Sequence, residues 1–141
     1  MNNEDCVFCQ IATGKLEARK IYDDGEVIGL VDVNPRFAKG QCVVFPREHK
    51  SQFHHLSDET LTSLILATKK IARKIKETFN PEFVSIFSRG QTIDHIHFLL
   101  FPAGTGEVID KFIELIFAQE KLNEESTEKK LDAIQEKLKV D

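Results

Sequence analysis

In the first half of the chain, apolar residues come in short runs that predict β-strands. Residues 27–31 and 41–45 are two such runs, and a shorter one at 21–22 precedes them. The segment 23–26, Asp-Asp-Gly-Glu, is typical of a hairpin turn because Asp and Gly tolerate positive φ. Two more strands are predicted at 83–87 and 95–101, each close to a proline. The N-terminal half is therefore expected to be mainly strands and turns.

Between these strands the hydrophobic spacing changes to that of a helix. Ser57 is a suitable N-cap, and the acids Asp58 and Glu59 follow it, where the helix dipole favours negative charge. Apolar residues then recur every three or four positions, at Leu61, Leu64, Ile65, Ile71, Ile75 and Phe79. The same spacing predicts a second helix over 108–116 and a short third helix over 131–138. The order of elements predicts an α+β fold around an antiparallel sheet of about five strands.

Length and composition limit what the chain is expected to be. With 141 residues, it suits a domain at 1–104 followed by a helical extension at 105–141, packed on the domain or on a dimer partner. A net charge of −4 argues against a broad nucleic-acid-binding surface. The acidic start predicts that there is no signal peptide, and no apolar run approaches the ~20 residues of a membrane helix. A cytoplasmic location is expected.

Two histidines in the last predicted strand are candidates for chemistry. Side chains alternate along a strand, so His95 and His97 are expected on one face, with Leu99 and Phe101 beside them. Residues 96, 98 and 100 would then face the core. Imidazoles are costly to bury without partners, so a functional role and a purely structural one both stay open.

The N-terminal Cys6-Val7-Phe8-Cys9 has a spacing that lets both thiolates reach one zinc ion. Two free thiols or a redox pair are the alternatives. The chain has five histidines that could complete a site, at positions 49, 54, 55, 95 and 97. Cys42 lies in an apolar run and is expected in the core. Asp32 ends a strand, where it could cap a turn or accept hydrogen bonds from sugar hydroxyls.

Together these segments resemble the histidine-triad (HIT) superfamily of nucleotide hydrolases and transferases, over about 5–102. The matching motifs are Cys-x-Phe-Cys at 6–9, the strand end at 30–35, Pro-x-x-His at 46–49, and Gly-Gln-Thr-Ile-Asp-His-Ile-His at 90–97. The resemblance implies that His97 is the nucleophile, which attacks an α-phosphate and forms a nucleotidyl-histidine. It also implies a homodimer and a purine nucleotide or nucleotide conjugate as ligand.

The resemblance assigns the remaining site residues by position. Asp32 would bind the ribose. The base would lie among apolar side chains, and polar residues would contact the phosphates. In Cys-x-x-Cys members a structural zinc is held by four ligands. These implied residues are Val7, Phe8, Ile11 and Leu30 for the base, Gln91 and Thr92 for the phosphates, and Cys6, Cys9, His49 and His95 for zinc.

Two departures from the family pattern bear on activity. Leu99 stands where the third histidine of the signature is expected, and it cannot help a leaving group depart. The loop before Gly90 is also shorter than usual, and Arg89 could replace part of its contact with phosphate. Three hypotheses follow: an enzyme on nucleoside phosphate derivatives, a nucleotide-binding protein with little turnover, and a zinc-stabilised scaffold for a partner.

Overall fold

A computed structural model describes residues 5–89, 92–118 and 128–140. Its five strands form one antiparallel sheet in the order β1-β2-β3-β5-β4. The predicted α+β class is confirmed. The elements in chain order are α1 (Val7–Ala12), β1 (Lys20–Asp23), β2 (Val27–Val31), β3 (Cys42–Pro46), α2 (Asp58–Phe79), β4 (Phe83–Arg89), β5 (His97–Ala103), α3 (Val108–Ala118) and α4 (Glu128–Leu138), with a 3-10 turn at Phe53–His55 before α2.

The long helix α2 begins and ends where its sequence predicts. The Ser57 hydroxyl accepts a hydrogen bond from the Thr60 backbone N–H at 3.1 Å, which caps the first turn. Asn80 adopts a left-handed conformation with φ of 46° and ends the helix. The buried stripe of α2, which includes Leu64 and Ile71, covers one face of the sheet.

The two faces of the sheet carry two separate clusters of buried residues. Ile96, Phe98 and Leu100 pack against α2, as the strand alternation predicts. Leu99 and Phe101 point to the opposite face, where α1 and the start of α3 cover them. The face of β5 that carries His97, Leu99 and Phe101 is therefore also largely buried.

Three local expectations from the sequence differ from the structure. Residues 7–12 form helix α1 instead of strand or turn, because burying Phe8 and Ile11 on one side stabilises a helix too short to persist alone. Strand β5 begins at His97, not at His95. It also continues through Pro102, which does not end it, because β4 still pairs with it there at Val84.

The C-terminal helices differ in how they contact the domain. Ile109 in α3 is fully buried, and its N–H bonds the Phe37 carbonyl at 3.0 Å. The Asp110 carboxylate accepts hydrogen bonds from four backbone N–H groups in the turn at 104–107, and these bonds lower its pKa. The apolar residues of α4 are exposed. Within the described ranges, no helix is both long and apolar enough to cross a membrane.

Candidate functional site

The two histidines of interest lie side by side against helix α1. Phe8 contacts both rings edge-on, with centroid distances of 5.6 Å to His95 and 5.0 Å to His97. Both histidines are buried. They face the same side of the sheet, as the spacing predicts, although only His97 belongs to the strand.

His97 is held in a single orientation by its neighbour's backbone. Its Nδ1 lies 2.7 Å from the His95 carbonyl oxygen. A carbonyl only accepts, so Nδ1 carries the proton and Nε2 keeps its lone pair. Burial lowers the pKa of His97, and the positive charge of Arg89 acts in the same direction. The ring is therefore neutral near pH 7 and has one nucleophilic nitrogen.

Two cysteines and two histidines bring their ligand atoms together beside α1. These atoms, from Cys6, Cys9, His49 and His95, all lie within 4.8 Å of one another. The Nδ1 of His95 lies 3.4 Å from Cys6 Sγ and 3.6 Å from Cys9 Sγ, and the Nδ1 of His49 lies 3.2 Å from Cys9 Sγ. Tetrahedral zinc with Zn–S of ~2.3 Å and Zn–N of ~2.0 Å separates S and N by about 3.5 Å. The set fits zinc.

The surroundings of this cluster also suit a metal ion. The Nε2–H of His95 donates to the Pro46 carbonyl at 2.8 Å, so Nδ1 is free as a ligand. Burial lowers the pKa of His95 to about 4, which keeps the ring neutral. Burial also raises the pKa of Cys9 to about 11, so a nearby cation is needed to hold it as a thiolate. His54 and His55 are exposed on the 3-10 turn and do not join the cluster.

A cleft of about 490 Å³ opens next to His97 on the face that carries α1. It is wide enough for a nucleotide-sized ligand. The residues expected from the sequence to bind the nucleotide, together with the expected nucleophile His97, line this cleft, with one exception: Gln91 lies outside the described residues. The cleft is lined by Val7, Phe8, Ile11, Leu30, Asp32, Arg89, Thr92 and His97 from that set.

The cleft is lined by both apolar and polar side chains. Phe8 stacks on Phe45 with ring centroids 4.3 Å apart, so helix α1 offers a rigid apolar wall. Asp32 stands at the end of β2, and Arg89 is directly opposite His97 in the pairing of β4 with β5. One surface therefore combines apolar packing, a carboxylate, a guanidinium and a neutral imidazole.

Asp32 is held by two hydrogen bonds. Its Oδ1 accepts the Asn34 backbone N–H at 2.9 Å, and its Oδ2 accepts the Gln41 side-chain amide at 2.5 Å. Gln41 is 2% exposed, and its Oε1 accepts the Phe37 backbone N–H. Asp32 therefore caps a turn and also faces the cleft, so the two alternatives from the sequence are compatible.

The sequence interpretation missed some residues of the cleft. Gln41 precedes the apolar strand β3, and the antiparallel pairing of β3 with β2 places Gln41 opposite Asp32. That register could have identified Gln41 as a neighbour of Asp32. Arg19 and Arg36 lie in loops, where no periodic signal marks them. Leu99 also lines the cleft, on the face it shares with His97.

The chain is similar to known proteins in its sequence. The family model for the HIT domain matches residues 13–105. An uncharacterized HIT-like protein of Methanocaldococcus jannaschii is 33% identical over 116 residues, which cover 78% of this chain and 88% of the relative. An adenosine 5′-monophosphoramidase of Schizosaccharomyces pombe is 29% identical over 102 residues, covering 69% and 73%.

The fold has solved counterparts as well. A zinc-bound histidine-triad family protein from Mycobacterium smegmatis superposes with a TM-score of 0.67 at 24% identity, covering 84% of this chain and all of that chain. At that identity the likeness concerns the arrangement of the backbone. The four-ligand cluster and the cleft beside His97 occur here within that same arrangement.

Proposed function

This chain belongs to the HIT domain family, and from that premise we propose that it is a nucleotide hydrolase or nucleotidyl transferase. Its substrates are nucleoside phosphate derivatives, and His97 carries the nucleotide as a covalent intermediate. The observation that carries the proposal is the orientation of His97. Its Nδ1–H is bonded to the His95 carbonyl, its Nε2 lone pair is free, and its ring lines the cleft.

The remaining cleft residues supply the contacts that a nucleotide needs. Asp32, anchored by Gln41, accepts hydrogen bonds from ribose hydroxyls. Arg89 and Thr92, with Gln91 of the same motif, bind the phosphates, because a guanidinium pairs well with phosphate oxygens. A purine base packs among the apolar side chains of Val7, Phe8, Ile11 and Leu30.

The four-ligand cluster holds a structural zinc ion in this proposal. Two thiolates and two imidazoles complete a tetrahedron, so no position stays open for substrate. His95 is the link to the chemistry. Its ring is a zinc ligand, while its carbonyl accepts the Nδ1–H of His97. Fixing His95 therefore also fixes the nucleophile.

We also propose a cytoplasmic location and the domain division expected from the sequence, with 105–141 as an extension. Reducing conditions in the cytoplasm keep Cys6 and Cys9 as thiols that can bind metal. Both cysteines are free of disulfides in the structure.

A homodimer through β4 is part of the proposal. β4 is an edge strand of the sheet, and its Phe83 and Ile86 are exposed. Unpaired edge strands pair readily with another copy. Light scattering should give twice the monomer mass for the wild type and the monomer mass for Ile86→Lys. Ile21→Lys, on the opposite edge β1, is the matched control and should stay dimeric. A monomeric wild type would contradict this interface.

Gln41→Leu should raise KM for a nucleotide substrate by about 10-fold or more, while kcat changes less. The substitution keeps the volume but removes the amide that holds Asp32, and a hydrogen bond to a charged group contributes about 1.5–3 kcal/mol. Steady-state kinetics measures the split, and circular dichroism checks folding. A folded variant with unchanged KM would mean that Asp32 does not need this anchor.

The function is tested with the zinc-loaded wild type and two probes: a fluorogenic adenylated amine and a dinucleoside polyphosphate. Turnover of either supports the enzyme. Saturable AMP binding by calorimetry, without turnover of either probe, would instead support a nucleotide-binding protein. If neither binding nor turnover occurs, the enzyme proposal is wrong and the scaffold hypothesis gains support.

A further inference from the structure

A second cavity lies on the α2 side of the sheet, between α2 and the edge strand β1. It has a volume of about 310 Å³, at the small end of the range for ligand pockets. Ile71 and Ile75 of α2 line it together with Ile21 and Tyr22 of β1. We call this cavity the β1 groove. It is distinct from the cleft beside His97, which opens on the α1 side.

The β1 groove presents large apolar side chains to solvent. Ile21, Val31 and Phe79 line it, and each is between 39% and 49% exposed. Gly40 has a φ of 86°, and a Cβ there would lie 2.5 Å from the Phe79 ring, so glycine at this position lets Phe79 pack closely. Apolar side chains that are exposed together mark a binding surface more often than single ones do.

The uncharged polar side chains of the groove already have partners. The Tyr22 hydroxyl donates to the Asp24 carboxylate at 2.8 Å, and the Thr78 hydroxyl donates to the Lys74 carbonyl at 2.7 Å. The Cys42 thiol donates to the Gly40 carbonyl at 3.4 Å. A sugar or a nucleobase would find few hydrogen-bond partners here, and burying its polar atoms would cost free energy. The body of a ligand in this groove is therefore apolar.

The charge of the groove is positive. Among the described residues that line it, the charged ones are Lys70 and Lys74, which are one helical turn apart on α2. Lys70 donates to the Tyr22 hydroxyl at 3.2 Å and keeps further N–H donors. Lys74 lies 3.4 Å from Glu77, but both side chains are well exposed, so this pair contributes little. Both ammonium groups are therefore available to an anion.

We propose that the β1 groove binds a free fatty acid of medium chain length, with its alkyl chain along α2 and its carboxylate at Lys70 and Lys74. The lining residues of α2 run from Lys70 to Phe79, which spans about 14 Å of helix and suits an extended chain of this kind. The apolar surface is recessed between α2 and β1, so a single chain fits it better than a flat lipid surface. The dimer proposed above uses β4 at the other edge of the sheet and leaves the groove accessible.

The test uses the full-length, zinc-loaded protein and decanoate below its micellar concentration. The chain has one tyrosine and no tryptophan, and Tyr22 lines the groove, so intrinsic fluorescence reports on this site. We expect saturable quenching by ω-bromodecanoate that decanoate reverses by competition, and calorimetry should find one site per chain. Decyltrimethylammonium, which has the same chain and the opposite charge, should bind at least ~10-fold more weakly.

Two pairs of substitutions on α2 test the position of the carboxylate. Lys70→Gln combined with Lys74→Gln should weaken decanoate binding ~5-fold or more, because exposed ion pairs each contribute a modest amount. Lys69→Gln combined with Arg73→Gln is the matched control, since it removes the same charge from the same helix at residues that lie outside the groove. The control should bind decanoate as the wild type does.

Several outcomes would overturn this inference. They are the absence of saturable quenching, equal binding of the cationic chain, and an equal loss of affinity in both pairs of variants. Binding to phospholipid vesicles without binding to free decanoate would overturn it in favour of a lipid surface. Protection of Tyr22 by self-association, seen by light scattering, would overturn it in favour of a second copy of the chain. None of these measurements involves nucleotide turnover, so the proposed function is tested separately.

Discussion

His97→Ala should reduce turnover of a dinucleoside polyphosphate by roughly 10³-fold or more and eliminate the covalent adduct. The substitution removes the Nε2 that would attack phosphorus in the proposed reaction, and removing a nucleophile typically costs this much or more. AMP binding should change little, because Asp32 and the apolar wall of α1 remain. Initial rates, intact mass and calorimetry on the same preparation measure all three quantities.

His54→Ala is the matched control for this prediction. His54 is exposed on the 3-10 turn before α2, outside both the cleft and the metal-ligand cluster. Its variant should keep wild-type rates and wild-type metal content. A His97→Ala protein that still turns over at a comparable rate would show that the covalent route is not used.

The parts of the site that could be predicted from the sequence are those set by short-range geometry. Residues two apart in an extended segment point to the same face. This rule correctly places His95 and His97 on one face and Ile96 on the other. Likewise, Ser57 and the acids after it predict the start of α2, because capping is a local interaction. The family resemblance added the expectation that residues from distant segments form one site. Membership of the family is confirmed.

The parts that could not be predicted depend on tertiary contacts. Helix α1 has six residues and no side-chain cap, so its helical form depends on burying Phe8 and Ile11 against the sheet. Gln41 appears in sequence as a polar start to an apolar strand, and its role depends on reaching Asp32 in the neighbouring strand. Arg19 and Arg36 reach the cleft from loops, and the course of a loop cannot be predicted from hydrophobic periodicity.

Leu99 belongs both to the packing of the fold and to the lining of the cleft. It is buried in the cluster that includes Phe45 and Phe101, so leucine suits its surroundings. The same position faces the cleft, where an apolar side chain withholds a proton. The packing of the sheet therefore accommodates an apolar side chain at a position that faces the cleft, and this makes the leaving group of the proposed reaction the property most worth measuring.

Removing the metal should destabilise the protein strongly. The four ligands come from the start of α1, the segment after β3 and the segment just before β5, so one ion would link three distant parts of the chain. Structural zinc sites contribute many kcal/mol, and a loss of even ~3 kcal/mol lowers Tm by about 6–12 °C for a chain of this size. Atomic absorption should find about one zinc per chain before chelation, and calorimetry should record the fall in Tm afterwards.

Cys6→Ala and Cys42→Ala make a matched pair for this prediction, since both cysteines are buried but only Cys6 belongs to the cluster. Cys6→Ala should lose the metal and most of the turnover, because His95 is then released and its carbonyl no longer fixes Nδ1 of His97. Cys42→Ala should keep its zinc and lose only the stability expected from a small cavity. A metal-free wild type with an unchanged Tm would rule out a structural zinc and leave Cys6 and Cys9 as ordinary thiols.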